Sequence, residues 1–561
     1  MFEGHRMHKY ISGAKNIRIS FVSRGVQAAV LLALAGSALA QETTPADQQS
    51  VQSQAKFDVW EYRILGNSVL PRADIETLLY SNLGPAKTLD DVEVARAALE
   101  KAYRDRGYGT VFVDIPEQEV DEGIVRLQVT EGTIARVRVT GAKYFSNRAI
   151  RAAVPAAQPG AVPHLPTVQQ QLTDLNAQTP DRSVVPVMKA GPRPGTVDLG
   201  LTVKDELPVH ASVEMNNQFT SNTTELRAIA AISYDNLFDR LDSLAFQYQT
   251  SPEDMSEVSV FAGSYTTRLW DSQSKLAFFY IDSDSDIATV GDGGATISVL
   301  GKGQIFGTRY INPFHASAAA THVFIGSVEY KDFAESVLSE DLFRTPISYM
   351  NLSVGHTSAW RFEQQQVTLA SSANFGFRGM SNNAEEFRDK RARGRPNYWM
   401  LRADTSYSRQ LPWSLNFRVR GAGQYAIEPV ISNEQFSIGG ADGVRGYREA
   451  EQLGDIGFKT SAELGYAPID MFAQRAQVGV FMFYDFGRMS RIDPLRNRDN
   501  VLIETPDQSF RSAGIGFDFN AFGFLSGALT WAYPLMSTPD ADLDGTKEGD
   551  SRIHFSIRGS W

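Results

Sequence analysis

The chain has 561 residues, no cysteine and a formal net charge of −11. The absence of cysteine excludes a disulfide scaffold and a cysteine-ligated metal site. The acidic balance argues against nucleic acid as the partner.

The first 40 residues have the pattern of a secretory signal peptide. Cationic residues, among them Lys9, Lys15, Arg18 and Arg24, precede an apolar segment at 26–36. This segment is too short to act as a membrane anchor, which is the alternative interpretation. Ala38 and Ala40 then form an A-x-A cleavage site, so we expect cleavage before Gln41. Residues 41–56 are polar and predict a flexible leader. Because no later stretch is long and apolar enough for a membrane helix, a membrane protein of this sequence has to be a barrel.

Residues 57–206 predict two similar α/β units in tandem. The first unit, 57–131, reads strand, helix, helix, strand, strand, and the second, 132–206, repeats that order. Each unit would have an open sheet edge to which an extended peptide can add as a further strand, whereas plain spacer domains are the alternative. The predicted strands and helices of the two units, in chain order, are 57–64, 71–79, 89–106, 111–115 and 124–129, then 134–140, 147–153, 167–178, 184–190 and 196–204.

From residue 209 onward, runs of alternating apolar and polar residues replace the helical spacing. Most of these runs have about the 9–11 residues that a strand needs to cross a bilayer at a tilt. They therefore predict a membrane β-barrel of 16 antiparallel strands within 207–561. The sixteen runs are 209–219, 225–234, 242–250, 257–266, 275–282, 296–310, 321–330, 347–358, 365–377, 398–409, 413–425, 455–466, 476–485, 510–520, 523–533 and 552–561.

The connections between these runs alternate between short turns and long polar loops. Outer-membrane barrels have short periplasmic turns and long external loops, so we expect both ends of the barrel, and the two α/β units, in the periplasm. Aromatic clusters near strand ends, such as 278–280, 481–484 and 531–533, predict interfacial girdles. Phe555 and the last residue, Trp561, resemble the assembly signal of outer-membrane barrels. A soluble sixteen-stranded protein is the alternative.

The order of elements in each α/β unit resembles that of polypeptide-transport-associated (POTRA) domains. The segment 203–208 resembles the end of the second such domain in two-partner secretion transporters, as do Leu175, Asn176 and the segment 185–191. Two such modules before a sixteen-stranded barrel resemble the transporters of hemolysin and filamentous hemagglutinin within the POTRA-barrel superfamily. The resemblance covers about residues 57–561.

One glycine-rich segment, 439–447, lies in the long loop 426–454, the sixth external loop. Within it, Val444, Arg445, Gly446 and Tyr447 resemble the VRGY/F element of that superfamily, in which this loop folds into the barrel. The family's F-x-D-x-G partner motif corresponds to 483–487, with Asp485 facing inward and Gly487 closing the motif. The resemblance thus implies an Arg445–Asp485 pair, which we expect to hold the loop tip in the lumen in a transport-competent position.

The resemblance implies an outer-membrane translocase that recognises an unfolded exported protein through its periplasmic modules. The implied partners are a large secreted β-helical protein, a cytolysin or an adhesin, together with outer-membrane lipids and the barrel assembly machinery during biogenesis. Well-known members begin with an amphipathic plug helix, but the leader 41–56 is too short and too weakly apolar to predict one.

Three alternatives belong to other classes of protein. An assembly factor that inserts other barrels usually has about five modules rather than two, and a passive diffusion porin would need neither the modules nor the Arg445–Asp485 pair. A barrel-anchored enzyme is disfavoured because the sequence has no H-E-x-x-H, G-x-S-x-G or P-loop pattern. We therefore expect no cofactor and no metal. The acidic segments 282–286 and 540–550 do not match a calcium loop and predict solvated loops.

Overall fold

The computed structural model of the protein describes residues 56–561 apart from 222, 270–272, 286, 292–295, 318, 335–344, 473, 497–498 and 540–544. The expected signal peptide, the leader up to residue 55 and parts of both acidic segments lie outside these residues. The described chain divides into two compact units. The first ends at Leu207, and the second begins at Pro208. No helix within the described residues is long and apolar enough to cross a membrane.

The first module is a three-stranded sheet with two helices. Its main helix begins at a capping box between Thr88 and Asp91 and ends before Gly107, whose φ of +86° suits glycine. Leu99, Tyr103 and Leu127 are fully buried in its core. Its elements are β1 (Phe57–Val59), β2 (Glu61–Leu65), α1 (Arg72–Leu79), a 3-10 turn (Tyr80–Asn82), β3 (Gly84–Lys87), α2 (Leu89–Asp105), β4 (Val111–Asp114) and β5 (Ile124–Glu131).

The predicted single strand at 57–64 is in fact two strands. The chain breaks at Trp60, whose backbone N–H donates to the carbonyl of Gly123 at 2.8 Å. β1 then pairs with β3 in a separate two-stranded sheet, while β2 joins the main sheet, in which the strand order is β2-β5-β4. β2 runs parallel to β5, and β4 runs antiparallel to it.

The second module repeats this arrangement. Its elements are β6 (Thr133–Thr140), α3 (Asn147–Ala152), α4 (Leu165–Asn176), β7 (Arg182–Ala190) and β8 (Thr196–Asp205). Its sheet has the order β6-β8-β7, again with a parallel first pair and an antiparallel second pair. Ile150, Leu175 and Leu201 are buried in its core.

The second unit is a closed barrel of sixteen antiparallel strands, as the sequence predicts. The barrel strands are β9 (Val209–Asn216), β10 (Arg227–Leu237), β11 (Asp242–Thr250), β12 (Ser259–Arg268), β13 (Lys275–Asp284), β16 (Gly303–Ala316), β17 (Ala320–Phe333), β18 (Ile347–Arg361), β19 (Gln365–Gly376), β20 (Tyr398–Leu411), β21 (Leu415–Ala426), β24 (Ile456–Met471), β25 (Ala476–Ser490), β26 (Asp507–Ala521), β27 (Leu525–Pro534) and β28 (Arg552–Ser560). Consecutive strands of this set pair around the ring, and β28 closes it against β9.

The long loops carry short elements of their own. The predicted sixth run, 296–310, spans two strands rather than one, because the chain turns at Gly301, which has a φ of +107°. The residues before that turn form the second strand of a hairpin, and those after it belong to the barrel. The loop elements are the hairpin strands β14 (Ile287–Gly291) and β15 (Thr296–Leu300), the helix α5 (Ala384–Lys390), a 3-10 turn (Ser432–Glu434), and the paired strands β22 (Phe436–Ile438) and β23 (Gln452–Gly454).

Side chains along β25 alternate between the lumen and the outer surface, as the period of a strand requires. Phe483 and Asp485 are buried, whereas Met482 and Tyr484 are exposed on the outside. The prediction that the whole cluster 481–484 belongs to an interfacial girdle is therefore wrong for Phe483. Since Phe483 has the same parity as Asp485, it has to face the same side.

The seam that closes the barrel is short. β28 and β9 pair between Ser556–Ser560 and Ser212–Asn216. The side chain of Asn217 extends the seam, because its amide nitrogen donates to the carbonyl of Ile553 at 2.7 Å and its amide oxygen accepts the N–H of Phe555 at 2.8 Å.

Candidate functional site

The sixth loop connects β21 to β24 and lies against the inner wall of the barrel. Its paired strands β22 and β23 align Phe436 with Gly454 and Ile438 with Gln452, which brings the two ends of the segment 439–451 together. The VRGY motif lies in this segment. Val444, Arg445 and Tyr447 are all buried, so the tip is enclosed by the protein and is not a solvated loop.

Arg445 grips Asp485 with both arms of its guanidinium. Its Nε donates to Asp485 Oδ2 and its Nη2 to Oδ1, both at 2.7 Å, and the backbone N–H of Arg445 donates to Oδ2 at 3.1 Å. Arg445 is 4% exposed and Asp485 is fully buried. A forked arginine–carboxylate pair has strict geometry, and removal of either partner leaves an uncompensated buried charge.

Glu463 on β24 is a second carboxylate at this site, and it is not among the residues predicted from the sequence. Its Oε1 accepts Nη1 of Arg445 at 2.9 Å and Nη2 of Arg420 at 2.7 Å, while its Oε2 accepts Nη1 of Arg418 at 3.1 Å. One carboxylate thus joins the loop arginine to two arginines of the neighbouring strand β21. Period-two spacing of Ser461, Glu463 and other polar residues on β24 is the signal that could have located it.

An aromatic ring and a hydroxyl complete the cage around the guanidinium. The Arg445 guanidinium carbon lies 3.5 Å from the centre of the Phe483 ring, which is a cation–π contact, and Nη2 donates to the Ser461 hydroxyl at 2.6 Å. Burial alone would lower the pKa of Arg445, but the hydrogen bond to Asp485 and the charges of Asp485 and Glu463 raise it above its ordinary value. The arginine is therefore held in its charged form.

Two glycines allow the loop tip to come close to the wall. A Cβ on Gly487 would lie 2.8 Å from Cγ2 of Val444, so only glycine leaves room for the valine. Gly446 has a φ of +92°, which favours glycine, and its N–H donates to Nε2 of His554 on β28 at 2.9 Å. Both contacts fix the backbone on either side of Arg445.

Tyr447 secures the far side of the motif. Its ring stacks on Phe510 of β26, with centroids 4.1 Å apart and an interplanar angle of 4°. Its hydroxyl lies 3.0 Å from the carbonyl oxygen of Arg511 and 2.7 Å from that of Met536. Burial raises the pKa of Tyr447 to about 12, so the hydroxyl keeps its proton and remains a donor.

The start of the loop has a separate set of contacts on other strands. Glu434 accepts hydrogen bonds from Lys331 Nζ at 2.6 Å, from the Tyr349 hydroxyl at 2.7 Å and from Arg402 Nη2 at 3.1 Å. These partners lie on β17, β18 and β20. Burial would raise the pKa of Glu434, but the charges of Lys331 and Arg402 hold it below its ordinary value.

A further ion pair ties the sixth loop to the neighbouring loops. Asp455, fully buried at the end of the loop, pairs with both arms of Arg391, and its Oδ2 accepts the N–H of Ile492 at 2.7 Å. Arg391 follows helix α5 in the preceding long loop, and Ile492 lies in the next one. Three successive loops are therefore joined at a single carboxylate.

The loop also contains a half-buried carboxyl, Glu449, whose neutral form is favoured by its surroundings. Oε1 of Glu449 accepts the N–H of Ala441 at 2.7 Å. Burial, with the charge of Asp442 adding to it, raises the pKa of Glu449 to about 7. The proton on this side chain therefore exchanges near neutral pH.

The residues expected to form the barrel assembly signal lie at the closing seam and not at the loop site. Backbone groups of Trp561 and Ala211 bond to each other at 2.9 and 3.0 Å. The indole ring stacks on Phe524, with centroids 6.0 Å apart. Phe555 lies opposite Leu529 on β27. In contrast, the structure brings the six residues predicted for the loop site together: Val444, Arg445, Gly446, Tyr447, Asp485 and Gly487.

Two family models match the chain. The model for the haemolysin secretion/activation protein ShlB/FhaC/HecB matches residues 195–503, which is more than half of the 561 residues. The model for the POTRA domain, ShlB-type, matches residues 57–132. The first match contains the whole sixth loop together with β24 and β25.

Named relatives are transporters. The outer membrane transporter CdiB of Dickeya dadantii (strain 3937) is 24% identical over 424 residues, which cover 73% of this chain and 72% of that protein. The heme/hemopexin transporter protein HuxB of Haemophilus influenzae (strain 86-028NP) is 20% identical over 505 residues, which cover 87% of this chain and 86% of that protein. These names favour export over the alternative of a barrel-assembly factor.

Solved structures share the fold. CdiB from Escherichia coli aligns with a TM-score of 0.58 at 18% identity, covering 92% of this chain and 93% of that one. BamA from Haemophilus ducreyi lacking POTRA domains 1-3 aligns with a TM-score of 0.52 at 15% identity, covering 90% and 100%. Together with the family model, the fold confirms the resemblance noted in the sequence. The chain belongs to the haemolysin secretion/activation (ShlB/FhaC/HecB) family and is an outer-membrane transporter of two-partner secretion, with its POTRA region in the periplasm.

Proposed function

We propose that this chain exports one unfolded partner protein through its barrel and that the sixth loop is the movable barrier on that route. The observation that carries the proposal is the enclosed Arg445 cluster, in which one loop residue is bound by Asp485 and Glu463 of two adjacent strands. A buried pair of this kind holds the loop in a defined position and leaves it reversible, because no covalent bond is involved. Val444, Gly446, Tyr447 and Gly487 serve as its supports.

The partner would be a large secreted β-helical protein, either a cytolysin or an adhesin, that reaches the periplasmic modules unfolded. An extended segment of such a chain can add to a sheet edge through main-chain hydrogen bonds. Folding of the exported part outside the cell would bias its movement outward. No catalytic step is part of this proposal, and neither a cofactor nor a metal takes part in it.

The sheet edges of the modules are not equally open to such a partner. On the edge strand β7, the amide of Asn176 bonds to the carbonyl of Val184 at 3.0 Å and to its N–H at 2.8 Å. Pro186, two residues further, directs its backbone to the same side and has no N–H to offer. This edge is therefore protected in the way that natural sheets avoid unwanted pairing.

In the first module, the edge strand β4 is also engaged. Arg96 Nη1 donates to the carbonyl of Val113 at 2.9 Å, and the N–H of Val111 donates to the carbonyl of Tyr108 at 3.3 Å. The other edge strand of this sheet is β2. On the other edge of the second module, β6, the N–H of Ile134 donates to the carbonyl of Ala161 at 2.9 Å and its carbonyl accepts from the N–H of Gly160 at 2.7 Å, so we assign client addition to β2. A photo-crosslinking residue at Arg63 on β2 should capture the client, whereas one at Val185 on β7 should not.

Phe555 and Trp561 have a proposed role in biogenesis. The last strand closes the barrel, and its terminal aromatic residue lies on the outside of the seam, where the barrel assembly machinery and outer-membrane lipids can reach it. Trp561→Ala should lower the amount of folded barrel without changing export per folded molecule. Heat-modifiable migration on gels gives the amount of folded barrel, and the amount of exported protein is then divided by it.

The function is tested by comparing the proteins that leave the cell. Deletion of the gene should remove one large protein from the culture supernatant or the cell surface, and the wild-type gene should restore it. An assembly factor would instead lower the amounts of several unrelated outer-membrane barrels. If the deletion changed neither the exported proteins nor the barrels, the export proposal would be wrong.

A further inference from the structure

The sixth loop is attached to the barrel at a second place, on strands that come before β21 in the ring, whereas Arg445 contacts strands that come after it. Glu434 is 1% exposed and lies against three strands, β17, β18 and β20, through Lys331, Tyr349 and Arg402. Arg445 lies against β24 and β25. In the order of the ring, β21 separates β20 from β24, and β17 and β18 are further away still.

The contacts at Glu434 make a site with nearly balanced charge. Lys331 Nζ lies 2.6 Å from Glu434 and 3.3 Å from Glu329, and Arg402 Nη2 lies 3.1 Å from Glu434. Arg309 Nη2 lies 4.0 Å from Glu329 as well, so three cations meet two carboxylates inside the barrel. Loss of the Glu434 charge would leave these three cations with Glu329 as their carboxylate, and uncompensated charge is costly in a buried position.

Backbone and apolar contacts seat the same part of the loop. The side-chain amide of Gln424 donates to the main-chain carbonyl of Glu434 at 2.9 Å, and Arg402 Nε donates to the Gln424 side chain at 2.8 Å. Val430 and Ile431, just before the 3-10 turn, belong to a buried apolar cluster that also contains Val290 and Val299 of the hairpin β14–β15. The start of the loop is therefore buried, as its tip is.

We propose that Glu434 is the second anchor of the sixth loop, so that the loop spans the lumen between two parts of the wall and clears the transport route only when both anchors are released. This inference rests on the proposed export function for its biological meaning. The anchor itself concerns the closed state of the pore and can be measured without any partner protein.

The first experiment compares Glu434→Gln with Glu428→Gln in planar bilayers containing the purified full-length chain. Glu428 lies in the same loop and pairs at 2.8 Å with the exposed Arg395, so this control removes the charge of a carboxylate of equal size at a partly exposed position. Since a released anchor shifts the open–closed balance, Glu434→Gln should raise the open fraction by roughly tenfold or more. Glu428→Gln should leave it unchanged.

A second experiment separates loop release from faulty folding. The chain has no cysteine, so Ser432→Cys gives a single thiol beside the anchor at almost no change in size. A membrane-impermeant maleimide should label this thiol several-fold faster when Glu434→Gln is also present, in barrels that retain normal heat-modifiable migration. Lys331→Met should produce the same increase, and the double variant should add little, because both changes remove one interaction.

The outcomes distinguish the anchor from the export function. Normal conductance and normal labelling in folded Glu434→Gln barrels would overturn the anchor and leave export untouched. Raised conductance in a chain whose deletion changes no exported protein would support the anchor and contradict the export proposal.

Discussion

The two anchors of the sixth loop both attach the loop to the barrel wall, but with loop residues of opposite charge. At the tip, the loop supplies a cation, Arg445, and the wall supplies the carboxylates Asp485 and Glu463. At the start, the loop supplies the carboxylate of Glu434, and the wall supplies Lys331 and Arg402. Arg445 would be repelled by the cations that bind Glu434, and Glu434 would be repelled by the carboxylates that bind Arg445. The loop can therefore bind inside the lumen in only one orientation. This complementarity gives register as well as binding energy.

The anchors also differ in how specific their geometry is. Arg445 meets Asp485 as a fork and lies over an aromatic ring, so few other side chains can replace it. Glu434 meets three separate single donors, among them a lysine, which is a flexible point charge. We therefore expect the tip to depend on residue identity and the start to depend mainly on charge.

The largest effect should come from Arg445→Ala, because it removes the guanidinium that pairs with the fully buried Asp485, whereas Glu463 keeps Arg418 and Arg420. Removal of one partner from a buried pair costs about 3–5 kcal/mol, so export should fall at least tenfold. Arg445→Lys should retain only part of the export, since an ammonium group cannot form the two parallel hydrogen bonds to Asp485. Secretion is measured against the amount of folded barrel. Arg393→Lys, at an exposed pair with Asp493, is the matched control and should export normally.

Reversal of both charges, Arg445→Asp with Asp485→Arg, tests the pairing itself. The double variant should export more than either single variant. Recovery should be incomplete, because the aspartate introduced in place of Arg445 would face Glu463, which accepts Arg445 Nη1 at 2.9 Å in the native protein. No gain over the single variants would count against the assigned pair.

Acidity should affect the tip of the loop through Glu449. Its pKa rises from 4.5 to about 7, through burial and the charge of Asp442, against the opposing effects of Lys459, Arg552 and the N–H of Ala441. The seated loop thus holds a proton that the free loop releases, and the stability of seating falls as the pH rises from about 4.5 to about 7. At about 1.4 kcal/mol per pKa unit, the change is about 3 kcal/mol.

The measurement is the open fraction in bilayers between pH 5 and pH 8. It should rise with pH in the wild-type chain and become nearly flat in Glu449→Gln, which stays neutral throughout. An open fraction that falls as the pH rises would reverse the sign of this argument.

Most of the barrel could be predicted because each strand carries its own local signal. Alternation of polar and apolar residues and the unequal loops located all sixteen strands. The failure at 296–310 arose because a loop hairpin has the same period-two pattern as a membrane strand, and only the turn at Gly301 separates them.

The site could be predicted only where a motif marked it. Arg445 and Asp485 belong to short patterns that can be recognised. Glu463 is marked only by the period-two spacing of polar residues on β24, and Glu434 has no pattern around it. Glu434 lies 103 residues from Lys331 and 85 from Tyr349, so only the closed ring brings them together. The inward orientation of Phe483 could have been predicted, because Phe483 lies two residues before Asp485 on the same strand and so faces the same side.

A smaller effect is expected from Gly487→Ala, which tests how closely the tip must approach the wall. The added methyl would lie 2.8 Å from Val444 Cγ2 and 3.5 Å from Ile438 Cγ2, and overpacking of this kind costs about 1–3 kcal/mol. Adding Val444→Ala should restore part of the export. In Gly326→Ala, where the nearest atom lies at 3.8 Å, export should be unchanged. Equal losses in both alanine variants would point to a general strand effect.

The smallest effect should come from Tyr447→Phe, which keeps the ring on Phe510 and removes only the hydroxyl. The carbonyls of Arg511 and Met536 then lose a donor at 3.0 and 2.7 Å, and a net hydrogen bond of this type contributes about 1 kcal/mol. Tyr425→Phe, at an exposed tyrosine on β21, is the control. We expect a several-fold loss of export, smaller than the loss in Arg445→Ala, because the hydroxyl only supports a tip whose position is set by the arginine. An effect as large as that of Arg445→Ala would instead make the tyrosine hydroxyl a main anchor and would contradict the ranking.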